Sequence, residues 1–208
     1  MTDWHERRAA MVDALATRDD LSEQTLAAMR AVPRHEFVPR GSRRAAYKDT
    51  PLPIGKGQTI SAPHMVALMT ELLELQPGDS VLEIGTGCGY HAAVTAEIVG
   101  AENVYSVEYH DRLAAKARET LASVGYDAVS VRAGDGKQGW SEHAPYDRAY
   151  LTCAASAFPK AVVEQVRPGG ILLGPLGDRR QTLVRAWRRA DGSLDREEHS
   201  RVRFVPLK

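Results

Sequence analysis

Three glycines alternate with other residues directly after a short apolar segment, in the run VLEIGTGCG. Glycine has no side chain, so the backbone of such a turn can pass close to a bound ligand before a helix begins at about Tyr90. The next predicted strand ends in Glu108, about 20 residues further on, where this type of turn needs an acceptor for ribose hydroxyls. The spacing therefore predicts a nucleotide-binding turn at Gly85, Gly87 and Gly89.

The glycine spacing also indicates which nucleotide is bound. A dinucleotide site reads G-x-G-x-x-G and holds a pyrophosphate at the start of its helix, whereas the third glycine here comes one residue early. Glu83, inside the preceding strand, would repel a pyrophosphate but can orient a ligand that carries an ammonium or a sulfonium group. S-adenosylmethionine carries both cations and no phosphate, which makes it the predicted cofactor. A glycine-rich turn that binds nothing is the alternative.

Asp135 stands between Gly134 and Gly136, after another predicted strand. Its carboxylate could bind adenine or could merely stabilise a tight turn, and the ligand role is favoured because the residue falls at the carboxyl edge of a parallel sheet.

The seven histidines and two cysteines show no ligand spacing, so no metal site is expected. Cys88 and Cys153 are expected to be reduced, small fillers rather than a disulfide.

Length and composition favour a single domain over residues 1–208, because 43% of the residues are hydrophobic and can bury one full core. Lys+Arg 27 equals Asp+Glu 27, so the chain as a whole gives no electrostatic indication of a nucleic-acid or anionic-membrane partner. The charged start lacks a signal-type apolar region and no stretch approaches membrane-spanning length. These features predict a cytoplasmic protein.

Periodicity and turn signals predict an α/β fold: a doubly wound, mostly parallel sheet behind an N-terminal helical extension. The predicted order is, in residues 1–75, helices over 9–15 and 23–31, an irregular segment over 33–63 and a helix over 63–75, and in residues 76–208, strands over 81–84, 104–108, 129–132, 148–152 and 171–175 with helices over 90–99, 111–124 and 158–165. Ser22 is the predicted N-cap of the second helix. Two final strands, over 183–189 and 201–207, follow without a crossover helix, so an antiparallel edge is expected. The arginines between 179 and 189 fit an exposed edge strand better than a nucleic-acid surface.

Four segments of the sequence form a recognisable set: GQTISAP within residues 47–65, the glycine loop, the GDG and APYD motifs within 134–147, and VRFVPL at 202–207. Together they resemble the protein-L-isoaspartate O-methyltransferase family, and GQTISAP is the most specific of them. Members of that family methylate the abnormal isoaspartyl carboxylate of aged proteins and so start their repair. The resemblance implies a methyltransferase sheet with a reversed last strand, S-adenosylmethionine as cofactor, and isoaspartyl peptides and proteins as partners. No nucleic-acid or membrane partner is expected, and the protein is expected to be a monomer.

The resemblance also implies roles for individual residues. Ser61 is expected to contact the substrate carboxylate. The residues around it and the C-terminal edge are expected to bind the substrate: Thr59, Ile60, Ala62, His64, Val205, Pro206 and Leu207. The glycine loop, the acid that follows it and the later GDG turn are expected to hold the cofactor: Glu83, Gly85, Thr86, Gly87, Gly89, Glu108, Tyr109, Asp135 and Gly136.

Methyl transfer from a sulfonium to a carboxylate needs no general base, because a carboxyl group with an ordinary pKa of about 4 is ionised at neutral pH. Alignment supplies most of the rate, and a hydroxyl such as that of Ser61 can fix one carboxylate oxygen. The same hydroxyl could instead cap the helix that begins at Pro63. The alternative functions are a nucleic-acid or small-molecule methyltransferase on the same fold and a non-catalytic binding module.

Overall fold

The computed structural model describes residues 3–208. Its helices are α1 Trp4–Arg18, α2 Glu23–Ala31, α3 Pro63–Leu72, α4 Tyr90–Val99, α5 Asp111–Ser123 and α6 Lys160–Gln165. Its strands are β1 Leu52–Gly55, β2 Gln58–Ile60, β3 Val81–Ile84, β4 Val104–Glu108, β5 Ser130–Ala133, β6 Tyr146–Leu151, β7 Val166–Leu176, β8 Gln181–Arg188 and β9 Leu194–Val202. Short 3₁₀ turns occupy several of the connections.

The sheet confirms the predicted doubly wound α/β architecture. Its seven strands lie in the order β5-β4-β3-β6-β7-β8-β9, and the first five of these are mutually parallel. β3 is buried at every position, as expected for a central parallel strand that is covered on both faces. The chain order reverses between β3 and β6, and such a switch point opens a ligand crevice at the carboxyl ends of the strands.

The end of the chain confirms the antiparallel edge but corrects its details. The predicted strand over 201–207 is wrong, since β9 spans Leu194–Val202 and follows β8 after a tight turn in which the Ser193 carbonyl accepts from the Arg189 amide at 2.8 Å. A strand this rich in charge is stable because it lies at the sheet edge with most side chains in water. The expected reversal of the last strand is also wrong: β8 is the reversed strand, and β9 is antiparallel to β8.

The residues after β9 lie along the carboxyl edge of the sheet instead of extending it. The Val205 carbonyl accepts from the Ala154 amide at 2.8 Å, and the Leu207 amide donates to the Ala154 carbonyl at 2.8 Å. The Gln181 side chain bonds both main-chain groups of Phe204, its Oε1 accepting at 2.6 Å and its Nε2 donating at 3.1 Å. Residues 204–207 are therefore held rigidly beside the crevice.

The N-terminal extension differs from its prediction mainly in helix boundaries. α2 and its Ser22 cap are confirmed, whereas α1 is longer than expected because Asp3 caps it, accepting from the His5 amide at 2.9 Å. α3 ends at Leu72, before Glu74, which adopts the left-handed φ of 49°. The segment over 33–63 contains the β1–β2 hairpin, too short and too rich in proline to show strand periodicity.

The extension and the sheet share a hydrophobic core. Met29 of α2 is fully buried together with Val94 of α4, and the Tyr90 hydroxyl contacts the Met29 sulfur at 3.7 Å. The start of the glycine-loop helix is thereby packed against the extension that carries the substrate segment. Within residues 3–208, no helix combines the length and the apolar character needed to span a membrane.

Candidate active site

Two adjoining pockets lie at the carboxyl ends of β3, β4 and β6. The larger opens to solvent at this edge of the sheet and has a cavity volume of about 50 Å³. Of the residues predicted from the sequence, it is lined by Thr59, Gly85, Gly87, Glu108, Tyr109, Gly136, Val205, Pro206 and Leu207. The smaller pocket shares Thr59, Gly85 and Gly87 with it and adds Ile60, Ser61, Glu83 and Thr86. Four predicted residues line neither pocket: Ala62, His64, Gly89 and Asp135.

The glycine loop needs glycine for two different reasons. Gly85 has a φ of +100°, and a Cβ there would lie 2.3 Å from the Thr152 hydroxyl, so both the conformation and the space exclude a side chain. Gly89 has a φ of +90° at the N-cap of α4, and its Cβ would lie 3.1 Å from the Leu121 side chain of α5. The first glycine thus serves the pocket and the third serves helix packing.

Glu108 connects the end of β4 with the glycine loop. One carboxylate oxygen accepts from the Gly87 amide at 2.8 Å, and the other accepts from the His110 amide at 2.9 Å. The residue is only 5% exposed but lines the larger pocket. A carboxylate offers about four acceptor positions. One of these holds the glycine loop and one holds the His110 amide, which leaves the remaining positions free to accept from a ligand.

Glu83 forms the centre of a buried hydrogen-bond chain beside the smaller pocket. Its carboxyl group accepts from the Ser106 hydroxyl and, at 3.0 Å, from the Tyr150 hydroxyl. Ser106 in turn bonds Thr86 at 2.5 Å, and Tyr150 bonds Thr95 at 3.1 Å. Burial raises the pKa of Glu83 to about 8, although the two hydroxyl donors act in the opposite direction.

This raised pKa predicts how stability depends on pH. The folded protein keeps a proton on Glu83 that the unfolded chain loses above pH 4.5, so the free energy of unfolding should fall as pH rises from 4.5 to about 8. Glu83→Gln should remove this contribution, roughly 3 to 5 kcal/mol. Urea unfolding of both proteins at pH 5 and pH 8 measures it. An equal change in the two proteins would contradict the assignment.

Ser61 lines the smaller pocket with its hydroxyl unengaged. The N-cap position of α3 is occupied by Ala62, which makes no side-chain cap bond, so the alternative that Ser61 caps this helix is wrong. Among the described residues nothing bonds the Ser61 hydroxyl, whereas its main-chain carbonyl accepts from Arg34 at 2.6 Å. The hydroxyl is therefore available to a ligand.

His64 lies at the start of α3, outside both pockets, and is oriented by Asp49. One Asp49 oxygen contacts the imidazole Nδ1 at 2.8 Å and accepts from the His64 amide at 2.9 Å, while the other accepts from Arg18 at 2.7 Å. Partial burial acts in the opposite direction, but these bonds hold the pKa of Asp49 below its ordinary value. A substrate contact by the half-exposed His64 stays a prediction.

Asp135 takes part in a tight turn, with a carboxylate oxygen accepting from the Lys137 amide at 2.9 Å. The turn role considered from the sequence is thus present, and an adenine contact stays a prediction. At Gly136 a Cβ would lie 2.5 Å from the Ile84 side chain, so the pocket wall is closely packed here. Within residues 3–208, no cluster of potential metal ligands is found.

Sequence reasoning missed several residues of the cleft. Thr152 and Cys153 follow β6 and line the larger pocket, and their position after a parallel strand was an available signal. Gln58 and His110 also line it. Arg34 was missed as well, and its burial beneath the substrate segment has no counterpart in the local sequence pattern.

Known proteins with similar sequences are methyltransferases, in agreement with the geometry of the site. The sequence profile of the protein-L-isoaspartate(D-aspartate) O-methyltransferase family matches residues 6–208. Protein-L-isoaspartate O-methyltransferase 2 of Archaeoglobus fulgidus is 51% identical over 207 residues, covering 99% of this chain and 94% of its own. The protein-L-isoaspartate O-methyltransferase of Methanothermobacter thermautotrophicus is 48% identical over 205 residues, covering 97% and 94%.

Two solved structures superpose on 97% of the chain. A protein-L-isoaspartate O-methyltransferase superposes with a TM-score of 0.88 at 29% identity, over 97% of this chain and 66% of that one. A putative protein-L-isoaspartate O-methyltransferase from Plasmodium falciparum, solved with S-adenosyl-L-homocysteine, superposes with a TM-score of 0.83 over 97% and 98% of the two chains. At 24% identity the second structure bears on the fold alone.

Proposed function

The chain belongs to the protein-L-isoaspartate(D-aspartate) O-methyltransferase family, and we propose that the cleft between the glycine loop and residues 58–61 is its active site. The enzyme transfers a methyl group from S-adenosylmethionine to the free carboxylate of L-isoaspartyl residues in damaged peptides and proteins, which initiates their repair. The observation that carries this conclusion is the family match over residues 6–208 together with 51% identity to an enzyme of that name.

The residues of the larger pocket fit the cofactor. The loop at Gly85 leaves no room for a side chain, and the Glu108 carboxylate keeps acceptor positions free for two ribose hydroxyls. Tyr109, which is 54% exposed at the rim, offers an aromatic face for the adenine. Glu83 offers a carboxyl group that a nearby ammonium ion would ionise. When bound, S-adenosylmethionine supplies a methyl group on a sulfonium ion.

The protein's own part in the reaction is alignment. The isoaspartyl carboxylate is already ionised at neutral pH, so no side chain has to remove a proton. The Ser61 hydroxyl donates to one carboxylate oxygen and leaves the other free to attack the methyl carbon. Because opposite charges are neutralised as the new bond forms, excluding water from the cleft favours the reaction. Thr59 and Ile60 on one side and residues 205–207 on the other supply the walls.

Glu108→Ala should weaken S-adenosylmethionine binding by about 1.5 to 3 kcal/mol, because it removes a charge-assisted acceptor for the ribose and releases the Gly87 amide. Isothermal titration of the folded variant measures the affinity. Glu119→Ala, which removes an exposed carboxylate of α5, serves as the control and should bind as the wild type does. Unchanged affinity in the Glu108 variant would remove this residue from the cofactor site.

Four further properties remain part of the proposal. The substrate is protein rather than nucleic acid, which the balanced charge of the chain supports. The enzyme folds as a single domain over residues 1–208, supported by the core that α2 shares with α4, and acts as a monomer in the cytoplasm, where two free cysteines remain reduced. Light scattering tests the monomer, a single cooperative unfolding transition tests the single domain, and cell fractionation tests the location.

Incubation with labelled S-adenosylmethionine tests the reaction directly. An isoaspartyl peptide should acquire a base-labile methyl ester, whereas RNA and DNA in the same mixture should acquire no label. Label on nucleic acid alone would replace the proposed activity with the alternative methyltransferase.

A further inference from the structure

Arg34 is a fully buried arginine that pairs with no carboxylate within residues 3–208. Its side chain is 0% exposed, yet its two hydrogen bonds go to main-chain carbonyls, from Nε to Ala46 at 2.8 Å and from Nη2 to Ser61 at 2.6 Å. The guanidinium also lies over the Tyr90 ring, 4.7 Å from its centroid. Among the described residues, no group bonds the remaining Nη1.

This environment is energetically unfavourable for a cation. Removing a charge from water costs several kcal/mol, and dipoles and an aromatic face offset only part of that cost. Burial accordingly lowers the pKa of Arg34, although arginine remains protonated at neutral pH. An apolar side chain of similar length would fill the space at a lower cost. Stability alone therefore does not account for an arginine at this position.

The guanidinium instead joins three segments of the chain, two of which border the active site. Its planar fork holds the chain at Ala46 and at Ser61, which are 12 and 27 residues away along the sequence. Its face lies on Tyr90, the first residue of the helix that follows the glycine loop. A single rigid group thus sets the position of the Ser61 main chain relative to the loop that is proposed to hold the cofactor.

We propose that Arg34 is a positioning residue for methyl transfer, which fixes the Ser61 main chain and so aims the Ser61 hydroxyl at the substrate carboxylate. This inference rests on the proposed role of Ser61. Methyl transfer depends on alignment, and a displacement of about 1 Å can reduce a rate by about a hundredfold. The other site features do not hold the Ser61 carbonyl, since Arg34 is its only side-chain donor among the described residues.

Arg34→Met tests the proposal, because methionine fills similar space without charge or donors. Turnover should fall by about 10- to 100-fold, while the dissociation constant of S-adenosylmethionine should stay within about twofold of the wild-type value. Arg148→Met is the control: Arg148 is also buried and also donates to main-chain carbonyls, at Leu73 and Glu74, although it pairs with Asp79 as well, at 3.3 Å. It lies beside Val81 at the amino ends of β3 and β6, whereas the site lies at the carboxyl ends. That variant should lower thermal stability and leave the turnover of the folded enzyme unchanged.

A double-mutant cycle separates positioning from a general structural role. If Arg34 acts through the Ser61 hydroxyl, Arg34→Met should slow a Ser61→Ala enzyme by less than about threefold. Losses that multiply in the double variant would overturn the proposal. Should Arg34→Met fail to fold, Arg34→Gln replaces it in the same cycle with the same expectations. If Ser61→Ala turns over as fast as the wild type, the proposed role of Ser61 is refuted. If Ser61→Ala is slow but Arg34→Met slows it further by its full factor, the role of Ser61 stands and the role of Arg34 is refuted.

Discussion

A peptide with an L-isoaspartyl linkage should be methylated at least about a hundredfold faster than the same peptide with a normal aspartyl residue. The isoaspartyl linkage places the free carboxylate on the α-carbon and adds a methylene to the backbone. In a site that works by alignment, the isoaspartyl carboxylate and the normal aspartyl carboxylate will therefore lie at different positions relative to the methyl group. The normal side chain should miss the line of attack by about 1 Å or more.

The structure supplies the rigidity that this selectivity requires. On one side, Ile60 is paired with Leu52 in the β1–β2 hairpin, and Arg34 holds the next residue. On the other side, Val205 and Leu207 are both bonded to Ala154. Neither wall can move to accept a misplaced carboxylate without breaking main-chain hydrogen bonds.

The measurement uses two peptides of identical sequence that differ only in the linkage. Labelled S-adenosylmethionine is supplied, and the base-labile ester is counted over time for each peptide. The initial-rate ratio is the quantity of interest, and a heat-inactivated enzyme gives the background. Equal labelling of the two peptides would refute selection by alignment of the carboxylate.

Ser61→Ala should slow turnover by roughly ten- to a thousandfold, as expected when one oriented hydrogen-bond donor is removed from the transition state. Cofactor affinity should change little. Thermal stability should also be unaffected, because the Ser61 hydroxyl has no partner among the described residues and Ala62 occupies the N-cap of α3. A slow enzyme of normal stability would therefore indicate a role in the reaction.

Ser22→Ala is the matched control for this experiment. Ser22 is a true N-cap, whose hydroxyl accepts from the Thr25 amide at 3.3 Å and donates to Glu71 at 2.8 Å. Its loss should lower stability by about 1 kcal/mol and leave turnover unchanged. Near-wild-type turnover in Ser61→Ala would exclude Ser61 from the mechanism, whatever the stability of the two variants.

Features that depend on neighbouring residues could be predicted from the amino-acid sequence. The strand before Gly85, the helix at Tyr90 and the acid at Glu108 all follow from local periodicity and from the conformational freedom of glycine. The Ser22 cap likewise follows from a residue type at a helix start, since its bond is made three residues along the chain. The fold class was predictable because strands that alternate with helices pack as a mostly parallel sheet covered by helices on both faces.

The way in which distant segments meet at the site could not be predicted from the sequence and became visible in the folded structure. The sequence left open whether Ser61 contacts the substrate or caps a helix, and the cap is excluded because α3 begins at Pro63 with Ala62 at its N-cap. The partners of Glu83 come from β4 and β6, and the acceptors of Arg34 come from two separate loops. Such contacts depend on which strands lie side by side and which side chains are removed from water. Sequence periodicity describes the face that a residue presents, but the partner on the other side is set by packing.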